Sequence, residues 1–229
     1  MSEVDREYLY KNFKELKLKY FPEVVDAGLK EFDPKHQPQT VNLLKRACEK
    51  EKAERKTSQI ASRIKSAKFG QVQTAADFDF KHSKMTQRIE GTYLSIHNNI
   101  DKDNLPKAIF VGNPGVGKTH LARSLGYASC QKGLSTLYMT AAQMANQLIQ
   151  AQKLATLDKE IARLKKPHVL IIDELGYVDF DTQGSQLFFQ VISARHDAGL
   201  GLVVTTNLNF GQFNQIFANE AVATVVVDR

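Results

Sequence analysis

The sequence predicts an α/β fold, a parallel sheet flanked by helices, preceded by a small all-α domain. Three observations predict it. After Pro106 the chain carries five short apolar, β-rich runs, at 108–111, 135–139, 169–172, 202–206 and 222–227. They are continuously apolar instead of alternating, which is how strands buried on both faces read. Between them, the stretches 119–131, 141–152 and 182–197 have the length and spacing of helices. Strand–helix alternation of this kind builds a parallel sheet covered on both sides.

Before Pro106 the spacing is helical. Leu9, Phe13, Leu16 and Tyr20 recur at three- and four-residue steps, so an amphipathic helix is expected from Ser2 to about Tyr20. Pro22 suits the first turn of a short second helix reaching Phe32, and Asp33-Pro34-Lys35-His36-Gln37-Pro38 is a break. Val41, Leu44 and Cys48, then Ile60, Ile64 and Ala67, fit one long helix with a very polar middle, ended by Gly70. Residues 71–80 read as an extended linker, 85–97 as a helix and 98–104 as a polar loop. The expected organisation is a helical N-terminal domain over 1–69, a linker and helix over 70–104, and an α/β core over 105–229. No internal repeat or low-complexity tract interrupts it.

With 42% hydrophobic and 24% charged residues, the composition is that of a globular protein. The polar start Met1-Ser2-Glu3-Val4-Asp5-Arg6 has no apolar stretch of a secretion signal. No apolar run approaches the roughly 20 residues of a membrane span, so no membrane role is expected. Cys48 and Cys130 are far apart and form neither a disulfide framework nor a CxxC metal site. Both are expected to be buried thiols in a reducing cytoplasm.

The net charge of +6 is uneven: residues 1–100 hold nineteen basic and fourteen acidic side chains, and the remainder twelve and eleven. Nine basic and three acidic residues fall within 45–68 alone, the basic set including Lys45, Arg46, Lys52, Arg55, Lys56, Arg63, Lys65 and Lys68. Such a segment is either a solvated helix face or a contact for a polyanion, most simply nucleic acid.

The most specific motif follows the first β-rich run. Gly112-Asn113-Pro114-Gly115-Val116-Gly117-Lys118-Thr119 matches G-x-x-x-x-G-K-[ST] in full, between an apolar strand and a helix opening with His120-Leu121-Ala122. The glycines let the backbone turn sharply and aim N–H groups at a phosphate chain. Lys118 sets a point charge against the β- and γ-phosphates of ATP, and the Thr119 hydroxyl ligates Mg²⁺. His120 is a packing residue beside that loop.

Val169-Leu170-Ile171-Ile172 runs into Asp173-Glu174, and a carboxylate at the C-terminal tip of a parallel strand points into the ligand crevice. Asp173 is placed to hold Mg²⁺ with Thr119, and Glu174 to polarise an attacking water. This pairing favours ATP hydrolysis over phosphoryl transfer to a metabolite. Asn207, after Leu202-Val203-Val204-Thr205-Thr206, is a turn residue or, if its strand neighbours the first, a group near the γ-phosphate. Arg195 sits at a helix end where a cation is favourable. The six histidines form no metal pattern.

These segments resemble the IstB-type helper ATPases of insertion-sequence transposition, AAA+ proteins close to the DnaC helicase loaders. The resemblance is carried by residues 112–122, by Ile171-Ile172-Asp173-Glu174-Leu175-Gly176-Tyr177, by Thr205-Thr206-Asn207-Leu208 and by Asp228-Arg229. Ala67-Lys68-Phe69 and Phe78-Asp79-Phe80 look like that family's junction between its helical region and its core. The resemblance implies an ATP-dependent homo-oligomer that binds and remodels duplex DNA and recruits or stimulates a transposase. It further implies that Gly112 to His120 cradle the nucleotide, that Asn207 is a sensor, that Arg229 is an arginine finger for a neighbouring subunit, and that the basic residues of 45–68 contact DNA. Family members continue past the Asp-Arg pair, so the C-terminal end is expected to be cut short. A DnaC-like loader of a replicative helicase is the alternative.

Overall fold

The computed structural model describes residues 1–176 and 182–212. Its contacts divide the chain into two compact units, Met1–Ala61 and Ser62–Arg229.

The first unit holds α1 (Glu3–Glu15), α2 (Phe21–Glu31) and the greater part of α3 (Gln37–Ala67). Leu9, Phe13, Leu16, Val25, Leu29, Val41 and Cys48 form its core, so the three- and four-residue spacing does place one face inside. Helix α1 stops earlier than expected. Leu18 N–H reaches back to Phe13 O at 2.8 Å, and Lys17 takes a left-handed φ of 59°, the geometry that closes a helix. Helix α3 starts earlier than expected, because Pro38 fits a first turn that has no use for its missing N–H.

The second unit carries the sheet. Strands β1 (Lys107–Val111), β2 (Thr136–Thr140), β3 (Val169–Leu175) and β4 (Gly201–Thr206) are all parallel, in the order β1-β4-β3-β2. Between them run α5 (Lys118–Gln131), α6 (Ala141–Lys153), α7 (Leu157–Lys165) and α8 (Thr182–Asp197), after α4 (Lys84–Asn98). The fifth run, 222–227, lies outside the described residues.

Strand alternation sorts the side chains onto two faces. Leu137, Met139, Leu170, Ile172 and Val204 pack with α6, α7 and α8. Val169, Ile171, Val203, Ala108 and Phe110 pack with α5 and with Ala67, Phe69, Phe80 and Tyr93. The expected linker 71–80 is not simply extended: Ala75–Asp77 and Phe80–His82 are 3-10 turns, and Phe80 is buried in the α5-side core. Helix α7 was not expected. Its Leu157, Ile161 and Leu164 pack on the α6–α8 side. No helix among the described residues is long and apolar enough to cross a membrane.

Candidate nucleotide site

β1 ends directly at Gly112, and α5 begins six residues later at Lys118. The turn between them needs left-handed backbone at Gly115 (φ 81°) and Gly117 (φ 91°), which glycine alone adopts without strain. Gly117 is tight as well: a Cβ there would lie 2.4 Å from Phe78 Cε2. The first N–H groups of α5 have no acceptor within their helix and so are available to an anion. Lys118 Nζ donates to the carbonyls of Gly112 (2.7 Å) and Asn113 (2.8 Å), arching over the turn. Burial lowers the pKa of its ammonium from the ordinary value, and the charge of Asp173 opposes that shift. Gly112 N–H donates to Thr206 O at 3.2 Å, which ties the turn to β4.

Asp173 is 1% exposed. A buried carboxylate is tolerated only when its oxygens are hydrogen-bonded, and hydroxyls supply the side-chain donors found here among the described residues. Thr119 Oγ1 donates to Oδ1 at 2.9 Å, Thr205 Oγ1 donates to the same oxygen, and the Tyr138 phenol donates to Oδ2. Tyr138 in turn accepts from Arg123 at 2.8 Å, and that guanidinium lies 4.7 Å from its ring centroid. Burial, with help from Asp173, pushes the Tyr138 phenol up to about 12, so it is a donor throughout the neutral range. Sequence reasoning missed Tyr138, Arg123 and Thr205. The signal was there in the two-residue period, which sets Tyr138, Asp173 and Thr205 on the α5 face.

The same period would drive Glu174 into the α6–α8 core. It does not, because β3 carries an extra residue. Ile172 pairs with Val204 and Leu175 with Thr206, so Asp173 and Glu174 together oppose Thr205, a β-bulge. Glu174 takes the strain, with a left-handed φ of 62°, and its N–H donates to Thr205 Oγ1 at 3.0 Å. Leu175 recovers the core position, and Glu174 is exposed.

β4 does neighbour β1, which sets Asn207 beyond Thr206, the partner of Val111. Asn207 Oδ1 is buried without a hydrogen-bond partner, and a Cβ on Gly176 would lie 2.5 Å from it. An orphaned amide oxygen at the end of this strand is the kind of group that a ligand or water satisfies. His120 faces away from such a role. Its Nε2 donates to Thr74 O at 2.8 Å, its Nδ1 accepts from Gln73 Nε2 at 3.3 Å, and its ring packs on Phe78. It pins the segment 73–78 against α5.

Arg195 does sit in the last turn of α8, but it is not solvated there. It is fully buried and donates to the carbonyls of Leu164, Pro167, His168 and Gly201, joining the end of α7 to the starts of β3 and β4. Desolvation pulls its pKa down to about 10. Of the basic residues of 45–68, Lys45 pairs with Asp5, Lys52 with Glu15, and Arg55 with Glu51. Arg46, Lys56, Lys65 and Lys68 are exposed, or nearly so, without such a pairing among the described residues. Arg63 is half-buried. Arg229 lies outside the described residues.

A turn of N–H donors with a lysine over it, next to a buried carboxylate holding a threonine hydroxyl, has the chemistry to receive a polyphosphate. The oxygen donors Thr119 and Asp173 also suit a hard cation such as Mg²⁺. The family comparison agrees: residues 12–229 match the IstB-like ATP binding proteins. The chain belongs to that family. It is 33% identical over 204 residues to an insertion sequence IS5376 ATP-binding protein of Geobacillus stearothermophilus, covering 89% of this chain and 80% of that one. An IS232 counterpart from Bacillus thuringiensis is 33% identical over 67% of this chain, and an IS21 counterpart from Pseudomonas aeruginosa 29% over 73%. Those matches span 59% and 62% of the two relatives' own lengths.

Among solved structures, the IstB-like chain superposes on AMPPCP-bound DnaA from Aquifex aeolicus with a TM-score of 0.58 at 14% identity, over 68% of this chain and 47% of that one. It superposes on the DnaC helicase loader with a TM-score of 0.57 at 20% identity, over 72% and 94%. These likenesses establish the AAA+ fold.

Proposed function

We infer that this IstB-like chain hydrolyses ATP and uses the cycle to bind and remodel duplex DNA for a transposase. The observation that carries the reading is the bulge in β3, which holds Asp173 against Thr119 and turns the next residue, Glu174, out of the sheet. Gly112, Asn113, Pro114, Gly115, Val116 and Gly117 take the phosphate chain, with His120 bracing the start of α5 behind them. Lys118 leaves its carbonyl partners for the β- and γ-phosphates. Thr119 and Asp173 hold Mg²⁺, which supplies charge neutralisation for the departing diphosphate.

The Glu174 carboxylate accepts a proton from the water that attacks the γ-phosphorus as the bridging P–O bond breaks. Asn207 orients that water through its amide. Arg229 of a neighbouring subunit completes the site in a homo-oligomer. The exposed basic residues Arg46, Lys56, Lys65 and Lys68 contact DNA, with smaller contributions from Arg63 and from the engaged Lys45, Lys52 and Arg55. Relatives named for insertion sequences support transposition as the setting.

The test is steady-state ATP hydrolysis by wild type and Glu174→Gln, with and without long duplex DNA. Turnover that needs Glu174 and rises with duplex is the expected result. Wild-type turnover in Glu174→Gln sinks the assignment of the base. Turnover indifferent to DNA, together with capture of a replicative helicase, moves the reading to helicase loading.

A further inference from the structure

The end of α1 and its turn into α2 read Lys11-Asn12-Phe13-Lys14-Glu15-Leu16-Lys17-Leu18-Lys19-Tyr20-Phe21, four lysines against one acid. Folded, this segment borders a cavity of about 440 Å³. Tyr10, Phe13 and Pro22 line it together with Lys14, Lys17 and Lys19. All four lysines are exposed, and none forms an ion pair among the described residues, although Lys11 lies within electrostatic reach of Glu15. Of the acids nearby in sequence, Glu15 pairs with Lys52 and Asp26 with Arg6, while Glu7 and Glu23 hold no ion pair among the described residues.

The C-terminal dipole of α1 favours one cation in its last turn, and Lys14 meets that need. It does not account for Lys17, which holds a left-handed φ of 59° at a position where glycine is the usual helix-ending residue. Nor does it account for the aromatic residues that follow. Tyr20 is 68% and Phe21 44% exposed, and Lys19 Nζ sits 5.3 Å from the Tyr20 ring centroid.

The geometry points to this groove as a DNA contact, with Lys14, Lys17 and Lys19 on successive backbone phosphates and Tyr20 stacking on an unpaired base. Lysine ammonium groups are point charges that neutralise phosphates whatever the sequence, and an exposed ring offers a stacking platform to any base. Together they suit a strand whose bases are partly exposed, as when a duplex is distorted. The inference rests on the proposed function for DNA as the partner. It adds a surface that the basic residues of α3 do not include, and the two differ in availability. Lys45 and Lys52 already hold Asp5 and Glu15, so a phosphate must compete with a carboxylate there.

Salt-dependent binding of the full chain to a labelled duplex and to its single strand tests the groove. Replacing Lys14, Lys17 and Lys19 together with Gln is expected to lower the slope of log affinity against log salt by about 2 to 3 units. Arginine at the same three positions is expected to restore it. Neutralising Lys45 and Lys52 is expected to shift the slope by less than about 1 unit, since those charges are already spent on carboxylates. Tyr20→Ala is expected to weaken single-strand binding about tenfold at unchanged slope. Melting curves and DNA-free turnover matching wild type show that the variants are folded. If wild type binds DNA and the triple Gln variant keeps its slope, the groove is overturned while DNA binding stands. If wild type binds neither DNA, the proposed function falls with it.

Discussion

The phenol of Tyr138 donates to Asp173 Oδ2, on the opposite oxygen from the one shared by Thr119 and Thr205. A hydrogen bond to a charged group contributes about 1.5–3 kcal/mol, so Tyr138→Phe should lower the unfolding free energy by an amount in that range. It should also loosen the carboxylate, which raises the Mg²⁺ concentration needed for tight nucleotide binding. Urea unfolding and fluorescent-nucleotide titrations across a Mg²⁺ series measure the two effects. An unchanged Mg²⁺ requirement would show that Thr119 and Thr205 suffice to hold Asp173.

Lys118→Ala should abolish ATP binding, because its ammonium is, among the described residues, the side-chain cation arched over the glycine-rich turn. The fold should survive, since Lys118 is only partly buried and its partners are two loop carbonyls. Nucleotide affinity equal to wild type refutes the site.

Glu174→Gly should separate stability from activity. A non-glycine residue in the left-handed region costs about 1 kcal/mol, and the greater freedom of glycine in the unfolded chain offsets part of that gain. The variant is therefore expected to be as stable as wild type or more so, by up to about 1 kcal/mol, while losing turnover. Marked destabilisation of this variant contradicts the assignment of strain to Glu174.

Alkaline pH should weaken the fold through two phenols. Burial raises Tyr93 and Tyr138 to about 12, above the ordinary value of 10. Each contribution is fully present below about pH 10 and is lost as pH rises towards 12. In that window the folded chain retains two protons that the unfolded chain releases, so each tyrosine removes up to about 1.4 kcal/mol per pH unit. Urea unfolding across the window should show the fall, and the Tyr93→Phe, Tyr138→Phe double variant should flatten it.

Arg195→Met keeps the volume of the side chain and leaves the carbonyls of Leu164, Pro167 and Gly201 short of a donor. Each buried acceptor so stranded costs about 1–3 kcal/mol, partly offset by no longer burying a cation. A net loss of about 2–4 kcal/mol in urea unfolding is expected; an unchanged midpoint would show that water satisfies those carbonyls.

Much of the core was legible because its signals are local. Apolar runs gave β1, β2 and β4 to within a residue and β3 except for its last three, and the glycine-rich turn announced itself through spacing. Helix α7 was passed over although Leu157, Ile161 and Leu164 follow a helical step, because its remaining residues are charged or small. The bulge was not legible: Asp173-Glu174 looks like the end of a strand until the pairing of Leu175 with Thr206 is known. The last-turn place of Arg195 was legible but its burial was not, since no local pattern tells a solvated terminal cation from one swallowed by three neighbouring segments. The ion pairs of Lys45 with Asp5 and of Lys52 with Glu15 join residues far apart in sequence, and charge counting along the chain is blind to them.

The extra residue of β3 makes chain length itself part of the chemistry. A strand tolerates many substitutions at its tip, and deleting either acid would only remove the bulge, leaving Leu175 opposite Thr206 and facing the core behind a single carboxylate. The two carboxylates are therefore not independent ornaments on a scaffold. Losing one of them by deletion should take away the second acid and spare the hydrophobic layer beneath, so the chemistry should fail on a fold that still stands.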